Sequence, residues 1–209
     1  MKILREISLA DSLSVLNALL GFSAITYLLM YGLRLEPFAI FYFSVLIDGV
    51  DGFVASKTEK SPFGKELDSL ADSVSFGVFP AAALVKYNPN LFPVAALLVA
   101  TSILRLARFN VLQFENFLGI PTVANALMIT SLIRINAEFY VLVVVSLITS
   151  ILMVTDFEYI RIRNRVVLGI MAVVILLATI YQKMCYVIVL LITAYILSPL
   201  FRGILWKRL

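Results

Sequence analysis

Long apolar runs alternate with short polar joints from residue 12 to the carboxyl end of the chain. Most runs have about 20 residues, the length that a helix needs to cross a hydrocarbon core of about 30 Å. The runs are too continuous for the alternating pattern of a membrane β-barrel, so each lipid-exposed backbone must satisfy its hydrogen bonds within a helix. The pattern therefore predicts an all-α integral membrane protein with about eight transmembrane helices. The predicted spans cover residues 12–32, 38–57, 65–86, 91–113, 121–135, 138–155, 165–181 and 184–204.

The fifth predicted span is short for a full crossing, and residues 121–155 could instead form one long kinked helix, which would give seven spans. Basic residues favour the cytoplasmic ends of membrane helices, so their distribution helps to decide between the two arrangements. With eight spans and a cytoplasmic amino terminus, the outer side carries Arg34, Lys86, Arg134 and Lys183, and the other 13 of the 17 lysines and arginines lie inside. We therefore predict eight spans with both termini in the cytoplasm.

The composition excludes an ordinary soluble domain, because 62% of the residues are hydrophobic, 14% are charged and the mean hydropathy is +1.01. There is no histidine, and Cys185 is the single cysteine, so carboxylates remain as the candidates for a general base or a set of metal ligands. The net charge of +4 suits contact with anionic lipid headgroups better than binding of nucleic acid. We expect residues 1–209 to form a single membrane domain.

Acidic residues interrupt the apolar pattern in the segment LIDGVDGFVASKTEKSPFGKELDSLADSVSFG, residues 46–77. Asp48 and Asp51 are three residues apart near the inner end of the second span, and Asp68 and Asp72 are four residues apart near the start of the third. Each spacing places a pair on one face of a helix. Because a short loop joins the two antiparallel helices, we expect all four carboxylates to converge at the cytoplasmic interface.

Four clustered carboxylates repel one another strongly in a medium of low dielectric constant, so a positive partner is required. Hard divalent cations such as Mg²⁺ or Mn²⁺ prefer oxygen ligands, and two of them would neutralise the four charges. The alternative is that the aspartates cap helices or pair with Lys57, Lys60 and Lys65 in a structural network. Ionisable residues within membrane segments favour the functional interpretation.

The segment resembles the signature of the CDP-alcohol phosphatidyltransferase family, which reads D-x2-D-G-x2-A-R, about eight residues, and then G-x3-D-x3-D. The matching positions are Asp48, Asp51, Gly52, Ala55, Gly64, Asp68 and Asp72. Ser56 stands where the signature has arginine, and the spacer of residues 57–63 is one residue shorter than usual. Lys57 or Lys60 could supply the missing positive charge, or the serine hydroxyl could replace it with a neutral hydrogen bond.

Three further motifs resemble the phosphatidylserine synthase branch of that family: LDSLADSVSFGVFPAA (residues 67–82), RLARFNV (residues 105–111) and FLGIPTVANA (residues 117–126). The segment SLSVLNALLGF (residues 12–22) is similar to the first membrane helix of the family. The resemblance implies transfer of a lipid-phosphate group from CDP-diacylglycerol, or from an ether-lipid analogue, to L-serine with release of CMP. It also implies a homodimer in the cell membrane with its active site at the cytoplasmic interface.

The resemblance assigns roles to particular residues. Asp48, Asp51 and Asp68 are expected to bind metal, and Asp72 is expected both to bind metal and to accept the proton of the serine hydroxyl. The residues expected to contact the nucleotide and its phosphates are Gly52, Ala55, Ser56, Lys57, Lys60 and Gly64.

Residues beyond the signature are candidates for holding the lipid phosphate or the serine. Arg105 and Arg108 could bind a phosphate or a carboxylate through forked hydrogen bonds, or could simply anchor the inner end of the fourth span. The remaining candidates for the serine pocket are Asn110, Gly119, Thr122 and Asn125.

Two other functions are compatible with parts of the pattern. The same metal site could serve another acceptor, such as glycerol 3-phosphate or inositol phosphate, with Arg105 and Arg108 binding the extra phosphate. A cation transporter or channel is more remote, because its acidic residues would be distributed through the membrane depth or repeated in symmetric halves.

Overall fold

Eight helices and one short β-ribbon make up the part of the chain that the computed structural model describes, which is residues 7–55, 61–111, 117–160, 162 and 164–205. The ribbon pairs β1 (Phe117–Leu118) with β2 (Glu158–Tyr159) in antiparallel register. A 3₁₀ turn, Pro89–Leu91, precedes the fourth helix. The helices are α1 (Leu9–Tyr31), α2 (Leu35–Ala55), α3 (Gly64–Tyr87), α4 (Phe92–Val111), α5 (Thr122–Arg134), α6 (Phe139–Val154), α7 (Arg165–Ile180) and α8 (Met184–Leu205).

Four helical segments are long and apolar enough to cross a membrane, by length and composition: Leu9–Tyr31, Leu35–Val54, Gly64–Tyr87 and Pro89–Val111. The later helices in the described part of the chain are apolar but shorter. The predicted all-α membrane protein is therefore confirmed. Eight complete crossings and cytoplasmic termini stay predictions.

The fifth and sixth predicted spans are separate helices. Asn136 adopts a positive φ of 54° between α5 and α6, which ends the helical path. The Tyr87 hydroxyl at the end of α3 donates a hydrogen bond to the Ala137 carbonyl at 3.0 Å and fixes this joint. Residues 121–155 therefore do not form one kinked helix.

The first helix begins with a reciprocal cap. The Asp11 backbone N–H donates to the Ser8 hydroxyl at 3.1 Å, and the Ser8 N–H donates to the Asp11 carboxylate at 2.7 Å. This capping box satisfies two of the backbone donors that a helix start leaves open. It accounts for a start at Leu9, three residues earlier than the apolar run predicts.

Aromatic side chains pack between α2 and α3. The rings of Phe41 and Phe79 stack with centroids 4.9 Å apart, and Phe38 and Phe76 approach the same pair edge-on. All four side chains are buried. Their packing holds the two helices that carry the signature aspartates in a fixed relation.

The third helix changes geometry directly after Asp72, where the segment Ser73–Val78 is π-helical. Helix α1 packs closely here, because a Cβ on Gly21 would lie 2.3 Å from the Ser75 hydroxyl oxygen and 2.8 Å from the Ser75 Cα. Short π-helical segments inside α-helices are frequent at functional sites. The absence of a side chain on Gly21 brings α1 against the π segment.

Candidate metal centre and active site

Three of the signature carboxylates come together between α2 and α3. Asp48 lies near the end of α2, and Asp68 and Asp72 lie on successive turns of the first part of α3. One carboxylate oxygen from each residue lies within 4.8 Å of the others, and the three side chains are only partly exposed. Oxygen donors at this spacing suit a hard divalent cation, because the repulsion of three like charges is relieved when a cation lies between them.

Asp51 is not one of the three carboxylates within 4.8 Å, but it interacts electrostatically with Asp48 and Asp68 and so lies beside the group. It is 5% exposed, and its carboxylate accepts a hydrogen bond of 2.5 Å from the Ser14 hydroxyl of α1. This hydrogen bond places the Asp51 carboxylate against α1.

Asn17 of α1 is a neighbour of the carboxylates that the sequence analysis missed. Its side-chain amide N–H donates to Asp72 Oδ1 at 3.3 Å, and its amide oxygen accepts from the Ser44 hydroxyl at 2.8 Å. The Asn17 side chain is fully buried. A single amide within a long apolar span was the sequence signal that could have identified it.

Arg105 of α4 connects the carboxylates to the predicted serine pocket. Arg105 is 5% exposed, and its guanidinium interacts electrostatically with Asp72 and donates to the Thr122 hydroxyl at 3.5 Å. One turn further along α5, Asn125 is fully buried, and its side-chain nitrogen and oxygen have no hydrogen-bond partner within the described ranges. Because Thr122 and Asn125 are three residues apart, both side chains lie on the face of α5 that Arg105 contacts.

Asn110 connects the ends of α3 and α4. Its side-chain oxygen accepts from the Ser69 hydroxyl at 2.8 Å, and its backbone carbonyl accepts from the Lys65 ammonium at 2.5 Å. Since Ser69 is the residue after Asp68, these contacts fix the first turns of α3, where two of the carboxylates lie.

Arg108 lies among backbone carbonyls. Its guanidinium donates to four of them, with distances of 2.9–3.3 Å, and forms an ion pair of 3.1 Å with Asp156, which is 92% exposed. The four carbonyls belong to Leu118, Met153, Val154 and Thr155. These contacts join the connection between α4 and α5 to the end of α6.

Gly119 belongs to the same joint. Its φ is +71°, and an added Cβ would lie 2.3 Å from the Met153 carbonyl oxygen. Its N–H donates to the Phe157 carbonyl at 2.9 Å. A glycine is required here by both the backbone conformation and the close approach.

The other signature positions differ in their surroundings. Among the described residues, a Cβ on Gly52 would meet no atom within 4 Å, whereas one on Gly64 would lie 3.1 Å from the Asp11 carboxylate. The side chain of Ala55 and the residues Ser56, Lys57 and Lys60 lie outside the described residues.

The sequence profile described as CDP-alcohol phosphatidyltransferase matches residues 7–155, which include α1 to α6 and every aspartate of the signature. The chain belongs to this family. The match covers about seven tenths of the chain, and α7 and α8 follow it.

The chain is also similar to curated proteins from several organisms. The CDP-diacylglycerol–serine O-phosphatidyltransferase of Methanocaldococcus jannaschii is 40% identical over 126 residues, which are 59% of each chain. The archaetidylserine synthase of Methanothermobacter thermautotrophicus is 41% identical over 139 residues, 62% of this chain and 59% of that protein. A CDP-diacylglycerol–serine O-phosphatidyltransferase of Mycobacterium tuberculosis is 34% identical over 139 residues, 60% of this chain and 48% of that protein. The chain thus spans less than two thirds of the length of these relatives.

Proposed function

We propose that this chain transfers a phosphatidyl or archaetidyl group from a CDP-lipid to L-serine and releases CMP in a reaction that depends on divalent cations. The grouping of Asp48, Asp68 and Asp72 at signature positions of the family carries the proposal. The choice of serine is supported by the names of the curated relatives, which specify phosphatidyl transfer to serine or synthesis of archaetidylserine.

The proposed cofactors are two divalent cations, Mg²⁺ or Mn²⁺, held by Asp48, Asp51, Asp68 and Asp72. The oxygen donors of Asp48, Asp68 and Asp72 within 4.8 Å of one another fit one such ion. Asp51 belongs to the proposed set because of its place in the signature. When bound, the cations offset the negative charge of the pyrophosphate and polarise the phosphoryl group that is transferred.

Asp72 is the proposed proton acceptor. The serine hydroxyl oxygen forms a bond to the lipid-bearing phosphorus, the bond from that phosphorus to the CMP oxygen breaks, and the hydroxyl proton passes to the Asp72 carboxylate. A carboxylate is a weak base toward an alcohol, so the proton moves late, when the new bond has made the hydroxyl acidic. Alignment of the two substrates then supplies much of the rate enhancement.

The nucleotide and its phosphates are proposed to contact the residues between the two aspartate pairs. No described atom lies within 4 Å of a Cβ built on Gly52, which supports close approach of a ligand to the α2 backbone. The other members of the proposed set are Ala55, Ser56, Lys57, Lys60 and Gly64.

The acceptor pocket is proposed to lie between α4 and α5. Arg105 supplies a positive charge for a carboxylate or phosphate oxygen, and Thr122 and Asn125 supply polar groups beside it. Arg108, Asn110 and Gly119 complete the predicted set, but their observed contacts are with other parts of the protein.

The proposed setting is the cell membrane, with one domain over residues 1–209, a homodimer, and the active site at the cytoplasmic interface. The apolar helices and the excess of basic residues on the predicted inner side support this orientation. Lipid tails would then remain among the helices while the CMP moiety contacts water.

The decisive experiment measures CMP release by the purified protein with Mg²⁺ or Mn²⁺ and either CDP-diacylglycerol or its archaeal ether analogue. L-serine, glycerol 3-phosphate and inositol phosphate are offered separately. We expect release with serine and a loss of at least about 100-fold in Asp72→Asn, the usual range for removal of a general base. Release with another acceptor would replace serine in the proposal, and no metal-dependent release with any acceptor would contradict it. Metal uptake into proteoliposomes without turnover would instead indicate a transporter.

A further inference from the structure

Asn17 is held by side chains from two other helices at the centre of a buried polar network. The amide lies in the apolar helix α1 and is fully buried, as are Ser44 of α2 and Ser75 of α3. A buried amide in such a place is costly unless its donor and acceptor groups are satisfied. The side chains around Asn17 therefore determine its orientation.

The Ser44 hydroxyl and the Asp72 carboxylate occupy opposite ends of the Asn17 amide. The hydroxyl lies 2.8 Å from the amide oxygen, and Asp72 Oδ1 lies 3.3 Å from the amide nitrogen. The reverse orientation would bring the amide oxygen against a carboxylate oxygen, and two acceptors repel each other. The N–H group of Asn17 consequently points to Asp72.

The backbone of Asn17 is fixed by the same part of the structure. The Ser75 hydroxyl donates to the Asn17 carbonyl at 2.9 Å, three residues after Asp72 on the π-helical segment. Gly21, one turn along α1, permits this approach, because any side chain there would overlap Ser75. Both the side chain and the main chain of Asn17 are therefore tied to α3 beside Asp72.

We infer that Asn17 is a positioning residue for Asp72. Its N–H group engages one oxygen of the carboxylate and fixes the rotation of the Asp72 side chain, so that the carboxylate faces Asp48 and Asp68. The inference rests on the proposed function, in which Asp72 binds metal and accepts the serine proton. Partners of this kind orient metal ligands, and their removal typically lowers metal affinity or activity by about 10- to 100-fold.

Two variants remove the interaction in different ways. Asn17→Leu keeps the size of the side chain but removes its N–H donor, and Ser44→Ala removes the hydrogen bond that holds the amide oxygen. Ser23→Ala is the matched control, because within the described part of the chain the Ser23 hydroxyl donates only to the Leu19 carbonyl of its own helix, at 2.7 Å. The readouts are kcat and KM for both substrates, the Mn²⁺ dissociation constant of the substrate-free protein, and the melting temperature.

For Asn17→Leu we expect kcat to fall by at least about tenfold, Mn²⁺ to bind at least about tenfold more weakly, and KM for both substrates to change by less than about twofold. Ser44→Ala should change kcat and Mn²⁺ affinity in the same direction by a smaller factor, and Ser23→Ala should change neither. If Asn17→Leu does not fold, Ser44→Ala provides the test.

The inference is overturned if the folded variants keep wild-type kcat and Mn²⁺ affinity, or if only the melting temperature falls, which would indicate a structural role. Failure of the proposed function gives a different result, namely no CMP release by the unmodified protein with any acceptor. The Mn²⁺ dissociation constants still test the position of Asp72 in that case.

Discussion

Ser14 and Asp51 form a buried hydrogen bond of 2.5 Å that joins α1 to α2 beside the group of three aspartates. Hydrogen bonds to ionised groups are shorter and stronger than neutral ones, and loss of the donor leaves a buried carboxylate without that partner. The relation shows that α1 contributes contacts as well as an apolar surface to this end of the protein.

Substitution of Ser14 should therefore destabilise the protein. We expect Ser14→Ala to lower the free energy of unfolding by about 1–3 kcal/mol, because the Asp51 carboxylate loses its donor in a buried place. Thermal melting in detergent measures the change. Ser12→Ala is the control, since the Ser12 hydroxyl is exposed and, among the described residues, bonds only to the Ser8 carbonyl. Equal melting temperatures for the two variants would contradict the prediction.

Removal of one carboxylate from the group of three should change the metal requirement. We expect Asp68→Asn to raise the Mn²⁺ concentration for half-maximal CMP release by at least about tenfold, because one oxygen ligand loses its charge. Chelation of divalent cations should abolish turnover by the unmodified protein, and added Mg²⁺ or Mn²⁺ should restore it. Asp156→Asn provides a matched change of charge at a side chain that is 92% exposed. An unaltered Mn²⁺ dependence in Asp68→Asn would argue against its role as a ligand.

The two arginines of α4 should respond differently to the same substitution. Arg105→Gln should raise KM for serine or for the CDP-lipid by about tenfold or more, since the guanidinium near Asp72, which can form two parallel hydrogen bonds to an anion, is lost. Arg108→Gln should lower the free energy of unfolding by about 2–4 kcal/mol and leave both KM values within about twofold, because its observed partners are carbonyls and Asp156. Steady-state kinetics and thermal melting of the two variants make the comparison. A stable Arg108→Gln protein with a raised KM would instead support substrate binding by Arg108.

A side chain at Gly119 should disrupt the joint between β1 and α6. Gly119→Ala combines a positive φ with a Cβ placed 2.3 Å from the Met153 carbonyl oxygen, so we expect a loss of more than about 2 kcal/mol of unfolding free energy. Gly169→Ala on α7 is the control, because a Cβ there meets no described atom within 4 Å and alanine is the better helix former. Similar melting temperatures for both variants would show that the joint tolerates the added group.

The apolar pattern predicted the eight described helices, because the length and hydrophobicity that suit a helix to lipid can be read from each segment alone. The starts of α1 and α2 were predicted about three residues late, and each difference has a local cause. Ser8 caps α1 ahead of the apolar run, and Pro37, directly before the predicted start at residue 38, lies in the first turn of α2, where proline is tolerated.

The site was predicted less completely, because its remaining features depend on contacts between distant segments. The grouping of Asp48, Asp68 and Asp72 follows from their spacing in the sequence and from the short connection between α2 and α3. The bond from Asn17 to Asp72 joins residues 55 positions apart, and the carbonyls around Arg108 belong to two separate segments. Sequence periodicity describes one helix at a time, so it could not predict either arrangement.

The π-helical segment Ser73–Val78 separates the part of α3 that carries Asp68 and Asp72 from the part that carries Phe79. A π turn accommodates one more residue than an α turn, and one residue corresponds to about 100° around the helix axis. The aspartates are thus rotated by about that angle relative to the aromatic face, compared with an uninterrupted α-helix. Deletion of a single residue in this segment would restore continuous α-helical geometry and turn the acidic face away from α2 while Phe79 kept its place, so the length of the segment matters as much as its composition.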